Sequence, residues 1–317
     1  TCLALSAAEL PKLPEPVSNN AVASVTIRGK TYIASFMGIG PGKQHSDVHN
    51  KVFMHTLGEF GWHEMPDVPS QQRLQGRIAA SAVALNNNFF VFGGFAVNAD
   101  GTEQTAADSY RFDPITKRYT RLNDIPVPVD DAVALTYQNR YIYLVSGWSD
   151  HGNVNLVQVF DNFTQRWSQA TPFPGKPVFG LAGAMAGNTM LLCDGVALNY
   201  YADKKPTYQA EPACYLGTVG DNANKIDWRL IAHPTGTARY RMAGIHTQID
   251  DKDMLVFIGG STNPYNYNGI GYNGQPSEPD SSRAGRDQLN PRPVSRSAVC
   301  HAQLDTVTSC PAQGCRQ

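Results

Sequence analysis

The sequence predicts an all-β fold of repeated four-stranded units, a β-propeller. Three observations carry that prediction. β-Rich runs ending in glycine recur along the 317 residues. Each is followed, after a polar loop, by a second β-rich run and then by an aromatic residue before a Pro-containing turn. A stretch of small residues precedes most of the glycine-ended runs.

The first copy comprises Lys30–Gly38, Lys51–Leu57 and Trp62, and the second Asn88–Gly94, Ser109–Pro114 and Tyr119. The third comprises Arg140–Gly147, Val157–Asp161 and Trp167. The fourth comprises Thr189–Gly195, Ala213–Leu216 and Trp228, and a fifth begins with Met254–Gly260. The terminal glycines, Gly38, Gly94, Gly147, Gly195 and Gly260, are spaced by 56, 53, 48 and 65 residues. That period is the signature of a kelch repeat, roughly 50 residues with four strands per blade. A β-sandwich has no reason to keep it.

Each part of the repeat has a physical role. Glycine lets the second strand end in a tight bend and lets neighbouring backbones approach. The aromatic residue on the fourth strand buries a large area between blades. Asp113-Pro114 starts the turn into that strand. The runs Ala79–Leu85, Ala132–Thr136 and Ala182–Ala186 alternate and are rich in small side chains. They suit an innermost strand, where blades converge. About four and a half blades are recognisable, and a full-length relative is expected to carry six.

Composition narrows the function. Hydrophobic residues make up 42% of the chain, enough for a core, and the net charge is -1. No basic stripe is present, so nucleic acid is not an expected partner. No run of 18 apolar residues occurs, so no membrane-spanning helix is predicted. Residues 1–9 read as the residue of a signal peptide, an apolar stretch followed by small residues at Ser6–Ala8. That predicts a periplasmic or secreted protein. Residues 10–282 are assigned to the propeller. Residues 283–317 form an atypical tail, read as disordered or non-native: Asn273–Gln317 contains no Phe, Trp or Tyr, and five Arg but no Lys occur from Arg283 on.

Of the six cysteines, none forms a CxxC pair, and no Cys/His spacing fits zinc. Cys193 and Cys214 either pair in an exported protein or remain two buried thiols. His45 and His49 stand in H-x3-H spacing within a Gly/Lys/Ser loop, with nothing nearby to supply a third ligand. There is no phosphate loop and no nucleophile elbow. Neither a metal nor a cofactor is expected.

Three segments carry a family resemblance. Leu10–Val17 is a Pro-rich start. Phe92-Gly93-Gly94-Phe95, Asn98–Gly101 and Tyr110–Pro114 make up the second blade. Gly259-Gly260 leads into the Tyr/Asn/Gly-rich stretch Asn263–Gly269. In these the chain resembles the bacterial N-acetylneuraminate epimerase (sialic acid mutarotase) family, including its cyclically permuted members, over about residues 9–276. The resemblance implies a cofactor-independent mutarotase acting on a sialic-acid-type sugar. The alternative is a non-catalytic kelch propeller that binds a protein or glycan partner.

The family resemblance also implies a Glu soon after the glycine of a middle-blade strand, with an Arg a few residues on. The matching strand is Leu191–Gly195, but Val196 follows and the next Arg is Arg229. Asp194, beside Gly195, is the nearest substitute. Mutarotation needs a base for the anomeric hydroxyl and an acid for the ring oxygen, roles that Asp131 or His151 can fill. Turn capping is the alternative for Asp130 and Asp131, and a solvated loop the alternative for Asp150-His151. Arg77 and Arg241 each precede a small-residue strand, placed either to clamp a sugar carboxylate or to bond neighbouring loops. In the loop Asn263–Gln275, Tyr265, Tyr267 and Tyr272 offer rings and Asn268 an amide for a sugar, or they form an ordinary Gly/Asn turn cluster.

Overall fold

The structure, a computed structural model, describes residues 10–249, 252–273 and 300–303. The expected signal-like segment lies outside these residues. So does the expected tail, apart from one short strand. The chain divides into two compact units, Thr1–Pro128 and Val129–Gln317.

The first unit holds two four-stranded antiparallel sheets. One consists of β1 (Ala21–Ile27), β2 (Lys30–Ile39), β3 (Val48–Thr56) and β4 (His63–Met65) in chain order. The other contains β5 (Ser81–Leu85) and β6 (Asn88–Phe92), then β9 (Ser109–Asp113) and β10 (Arg118–Arg121), with the hairpin β7 (Phe95–Val97) and β8 (Glu103–Thr105) inserted after β6. Two-residue turns close the first hairpins. Arg28-Gly29 and Asn86-Asn87 all have positive φ, the geometry that matches strand twist and favours Asn and Gly. The core between the sheets contains Phe36, Phe89 and Phe112, each 0% exposed, with Phe36 edge-on to both others.

The second unit repeats the plan. One sheet is β11 (Val133–Tyr137), β12 (Tyr141–Val145), β15 (Val157–Asp161) and β16 (Arg166–Gln169), with the small hairpin β13 (Trp148–Ser149) and β14 (Gly152–Asn153) inserted after β12. After β17 (Val178–Phe179) comes a sheet of β18 (Ala182–Ala186), β19 (Thr189–Cys193), β22 (Cys214–Val219) and β23 (Ile226–Ile231). Its insertion, β20 (Val196–Asn199) and β21 (Thr207–Ala210), pairs with β17. The last sheet is β24 (Tyr240–Ile249), β25 (Lys252–Ser261) and β26 (Cys300–Gln303), in that order. Gly183 of β18 lies against Val133 of β11, and Gly244 of β24 lies on the backbone of Gly183. The first strands therefore stack closely only because small residues occupy these positions.

The predicted second strands and fourth-strand aromatics fall in equivalent places in this plan. Trp62, Tyr119 and Trp228 each donate a hydrogen bond to a backbone carbonyl earlier in the chain, those of Pro11, Pro66 and Thr171. Each ring is thus half-buried while its polar tip is satisfied. The glycine rule is sharper than the sequence implied. Each second strand ends in two consecutive residues of positive φ: Met37-Gly38, Gly93-Gly94, Ser146-Gly147, Asp194-Gly195 and Gly259-Gly260. A Cβ on Gly94 would meet Ile78 O at 2.8 Å, and one on Gly147 would meet Asp130 O at 2.6 Å. The first position needs only the left-handed conformation, which other side chains reach at a cost; the second also has no room for a Cβ.

A second repeated feature lies before each first strand. Asn19, Ala79, Asp131, Gly180 and Arg241 all have φ between 47° and 63°. Within the first unit Ala79 N–H donates to Asn19 O at 3.0 Å. Within the second, Gly180 N–H donates to Asp131 O at 2.9 Å and Arg241 N–H to Gly180 O at 2.8 Å. This corrects one alignment. Arg241 is equivalent to Ala79, not to Arg77, because the left-handed position defines the register.

Candidate functional site

The backbone link from Asp131 through Gly180 to Arg241 brings two predicted residues together. Arg241 Nε donates to Asp131 Oδ1 at 2.9 Å and Nη2 to Oδ2 at 2.5 Å, a bidentate pair. Tyr240 Oη donates to Asp131 Oδ2 at 3.2 Å. The pair is shielded but not sealed, with side-chain exposures of 9% for Asp131 and 16% for Arg241. Burial opposes the charge on Arg241, but the adjacent Asp131 carboxylate outweighs it, and the guanidinium pKa is raised well above its ordinary value. Burial pushes the Tyr240 hydroxyl up as well, with Arg241 acting against the rise and Asp131 adding to it. Tyr240 therefore serves as a neutral donor.

An aromatic cluster surrounds this pair. Phe179 and Tyr240 are buried at its base, 5.6 Å apart and edge-on. Trp148 comes from the β13–β14 hairpin, Tyr208 from β21, and Tyr265 and Tyr272 from the 262–273 loop. Tyr208 and Tyr272 stack at 4.3 Å, and Trp148 lies parallel to Tyr208 at 6.5 Å. Tyr265 packs edge-on to Tyr240 at 5.4 Å and lies 5.9 Å from the Arg241 guanidinium carbon. Trp148, Tyr208, Tyr265 and Tyr272 remain partly exposed. Asn273 Nδ2 donates to Tyr208 O at 2.6 Å and ties the last loop to β21.

The other predicted residues are placed differently. Tyr267 and Asn268 lie in the turn of the same loop; Asn268 Oδ1 accepts the Ile270 N–H at 3.0 Å, and Tyr267 N–H donates to Asn266 Oδ1 at 2.7 Å. His151 is exposed at the tip of the β13–β14 hairpin. Arg77 belongs to the first unit and is 1% exposed; it donates to Pro69 O at 2.8 Å and faces Asp108 at 3.5 Å. Its guanidinium therefore binds neighbouring loops. Asp194 accepts from His233 Nε2 at 2.6 Å and from Arg239 N–H at 2.8 Å, beside a disulfide between Cys193 and Cys214. His49 is half-buried with both ring nitrogens closed to solvent, and among the described residues neither has a hydrogen-bond partner, Glu15 Oε1 lying 3.9 Å from Nε2. A cleft of 650 Å³ in the first unit is lined by hairpin-turn residues including Arg28, Asn86 and Asn87, whose identities the turns themselves explain.

Sequence reasoning did not single out Tyr240, Phe179, Tyr208 or His233, whereas Tyr272 is among the tyrosines of the last loop expected to face a sugar. Trp148 follows Gly147 directly and Tyr272 lies in the Tyr/Asn/Gly-rich loop, so both carried a signal. Phe179 and Tyr208 lie between recognised strands, where periodicity says nothing about tertiary contact.

The fold and these repeats define a kelch-repeat β-propeller. Among kelch proteins, the chain resembles N-acetylneuraminate epimerase. No family model matches the chain. It is 26% identical to Kelch-like protein 15 of Gallus gallus over 154 residues, 48% of this chain and 30% of that protein. It is 24% identical to N-acetylneuraminate epimerase of Shigella sonnei over 222 residues, 58% of this chain and 56% of that protein. Among solved structures it is similar to YjhT, with a TM-score of 0.60 and 18% identity, covering 79% of this chain and 74% of the other. The match thus spans less than two thirds of either curated relative. Among the described residues, no helix is long and apolar enough to cross a membrane.

Proposed function

We propose that the chain is a cofactor-independent, mutarotase-like protein acting on a sialic-acid-type sugar at the Asp131–Arg241 site. The observation that carries this reading is the bidentate carboxylate–guanidinium pair, partly exposed beside Tyr265 and the Trp148–Tyr208–Tyr272 row. The similarity to N-acetylneuraminate epimerase supports the choice of sugar. In the proposed reaction, Asp131 takes the proton of the anomeric hydroxyl. The resulting alkoxide collapses to a carbonyl as the ring C–O bond breaks. The ring oxygen leaves with the electron pair and takes the proton back from Asp131. Rotation about the freed carbon and reversal of the steps gives the other anomer, with no net change of protons or electrons. Arg241 offsets the negative charge as it moves between oxygens. The Cys193–Cys214 disulfide supports an exported protein.

A second reading is a non-catalytic propeller that binds a glycan or protein partner. It is favoured by Val196, which stands where the resemblance implies a glutamate. One experiment separates the two: exchange NMR between the anomers of N-acetylneuraminic acid, with and without protein. Catalysis predicts faster exchange and a loss of about a hundredfold in Asp131→Asn, typical for removal of a general base. Sugar binding without faster exchange selects the second reading. Neither binding nor faster exchange overturns the sugar assignment.

A further inference from the structure

We propose that the corner where β19 meets β22 is a redox-gated metal site: closed by a disulfide when oxidised, it takes one zinc-like divalent cation when reduced. β19 ends at Cys193 and β22 begins at Cys214, directly opposite it. Asp194 follows Cys193 in the left-handed conformation, with φ of 66°, which turns its carboxylate toward the same point. His233 arrives from the segment after β23. The ligand atoms of Asp194, Cys214 and His233 lie within 4.8 Å of one another, and Cys193 Sγ is bonded to Cys214 Sγ. The corner is shielded but reached by solvent at His233, with Cys214 0% and the side chains of Asp194 and His233 2% and 10% exposed.

The hydrogen bonds assign the roles. His233 Nδ1 accepts the N–H of Gly236 at 2.7 Å and of Thr235 at 3.3 Å. Nε2 therefore keeps its proton and donates it to Asp194 Oδ1 at 2.6 Å. Cys193, Cys214 and Asp194 are the ligands, and His233 holds the carboxylate in place. Two thiolates and a carboxylate suit zinc, which favours sulfur, nitrogen and oxygen donors in a four-coordinate shell and leaves one position for solvent. Such supporting hydrogen bonds typically set metal affinity by 10–100-fold. Reduction is balanced as follows. A trialkylphosphine gives two electrons to the disulfide and becomes its oxide with oxygen from water. The water supplies the two thiol protons, and the incoming cation displaces them to solvent.

The test uses the full chain with Cys2, Cys300, Cys310 and Cys315 changed to Ser, so that only this pair can respond. Titration of the phosphine-reduced protein with Co²⁺ alone is expected to give a thiolate-to-cobalt charge-transfer band saturating at one ion per chain. Zinc should displace the cobalt, and the oxidised protein should give no band. Cys214→Ser should abolish the band. His233→Gln keeps both thiols and should weaken zinc binding about 10–100-fold. Circular dichroism of each variant checks that the fold is retained. No one-to-one band in the folded, reduced protein overturns the proposal. So does an affinity unchanged in folded His233→Gln.

Discussion

Asp131 and Arg241 are 110 positions apart in the chain and bond through two contacts, so each depends on the other. Removing one partner of a buried pair leaves an uncompensated charge. Arg241→Ala is therefore expected to destabilise the fold by about 3 kcal/mol, read from the midpoint of urea unfolding. Arg241→Lys keeps the charge but loses the two-pronged geometry, and should fall between Ala and the parent. An Arg241→Ala variant as stable as the parent would show that Asp131 is satisfied elsewhere. The sequence singled out both residues, from their places before a small-residue strand. Their contact was not legible, because nothing local to either residue specifies a partner so distant in the chain.

At the scale of the element, the paired left-handed positions at each second-strand end explain why glycine persists at the second of them. Two glycines make a controlled comparison. Gly101 has φ of 81° and open space where a Cβ would go. Gly101→Ala should cost about 1 kcal/mol from backbone conformation alone. Gly94 has φ of 83° but lies 2.8 Å from Ile78 O and 2.9 Å from Ala80 Cβ at the Cβ position. Gly94→Ala should cost about 3 kcal/mol, because backbone must shift as well. Equal losses in thermal unfolding would disprove the close-approach argument. The disulfide acts at the same scale, tying β19 to β22 across a separation of 21 residues. Its reduction should lower stability by about 3 kcal/mol in the absence of metal, checked by denaturant midpoints with and without reductant.

For the molecule as a whole, pH enters through groups whose proton affinity changes on folding. Burial holds the His49 pKa below its ordinary value, with the nearby Glu15 only partly offsetting it. The unfolded chain then binds protons that the folded chain refuses, so stability should fall as pH drops below about 6.5. His49→Leu removes the titrating group and should flatten that region of a melting-temperature profile. A second decline is expected below about pH 3.8. There Asp161, held low first by its hydrogen bonds from Arg140 and further by backbone N–H groups of its turn, takes up protons more readily once unfolded. Exposure of Arg140 reduces that contribution through solvent screening. A His49→Leu profile that still falls between pH 6.5 and 5 would refute the assignment.

By itself the sequence determined the all-β class, the period, the strands that end in glycine and the fourth-strand aromatics. Those properties are local and repeat, so five weak signals in register become one strong signal. Which residues meet follows instead from how the repeats pack. The tertiary structure separated Arg77 from the position of Arg241 by two residues, because the left-handed backbone sets the register before each first strand. It joined Tyr240, Phe179, Tyr208 and Tyr272 into one cluster, and it gave Asp194 to His233 and Arg239. Periodicity shows which way a side chain faces in its own strand, whereas a site is built from inserted hairpins and strand ends contributed by separate repeats.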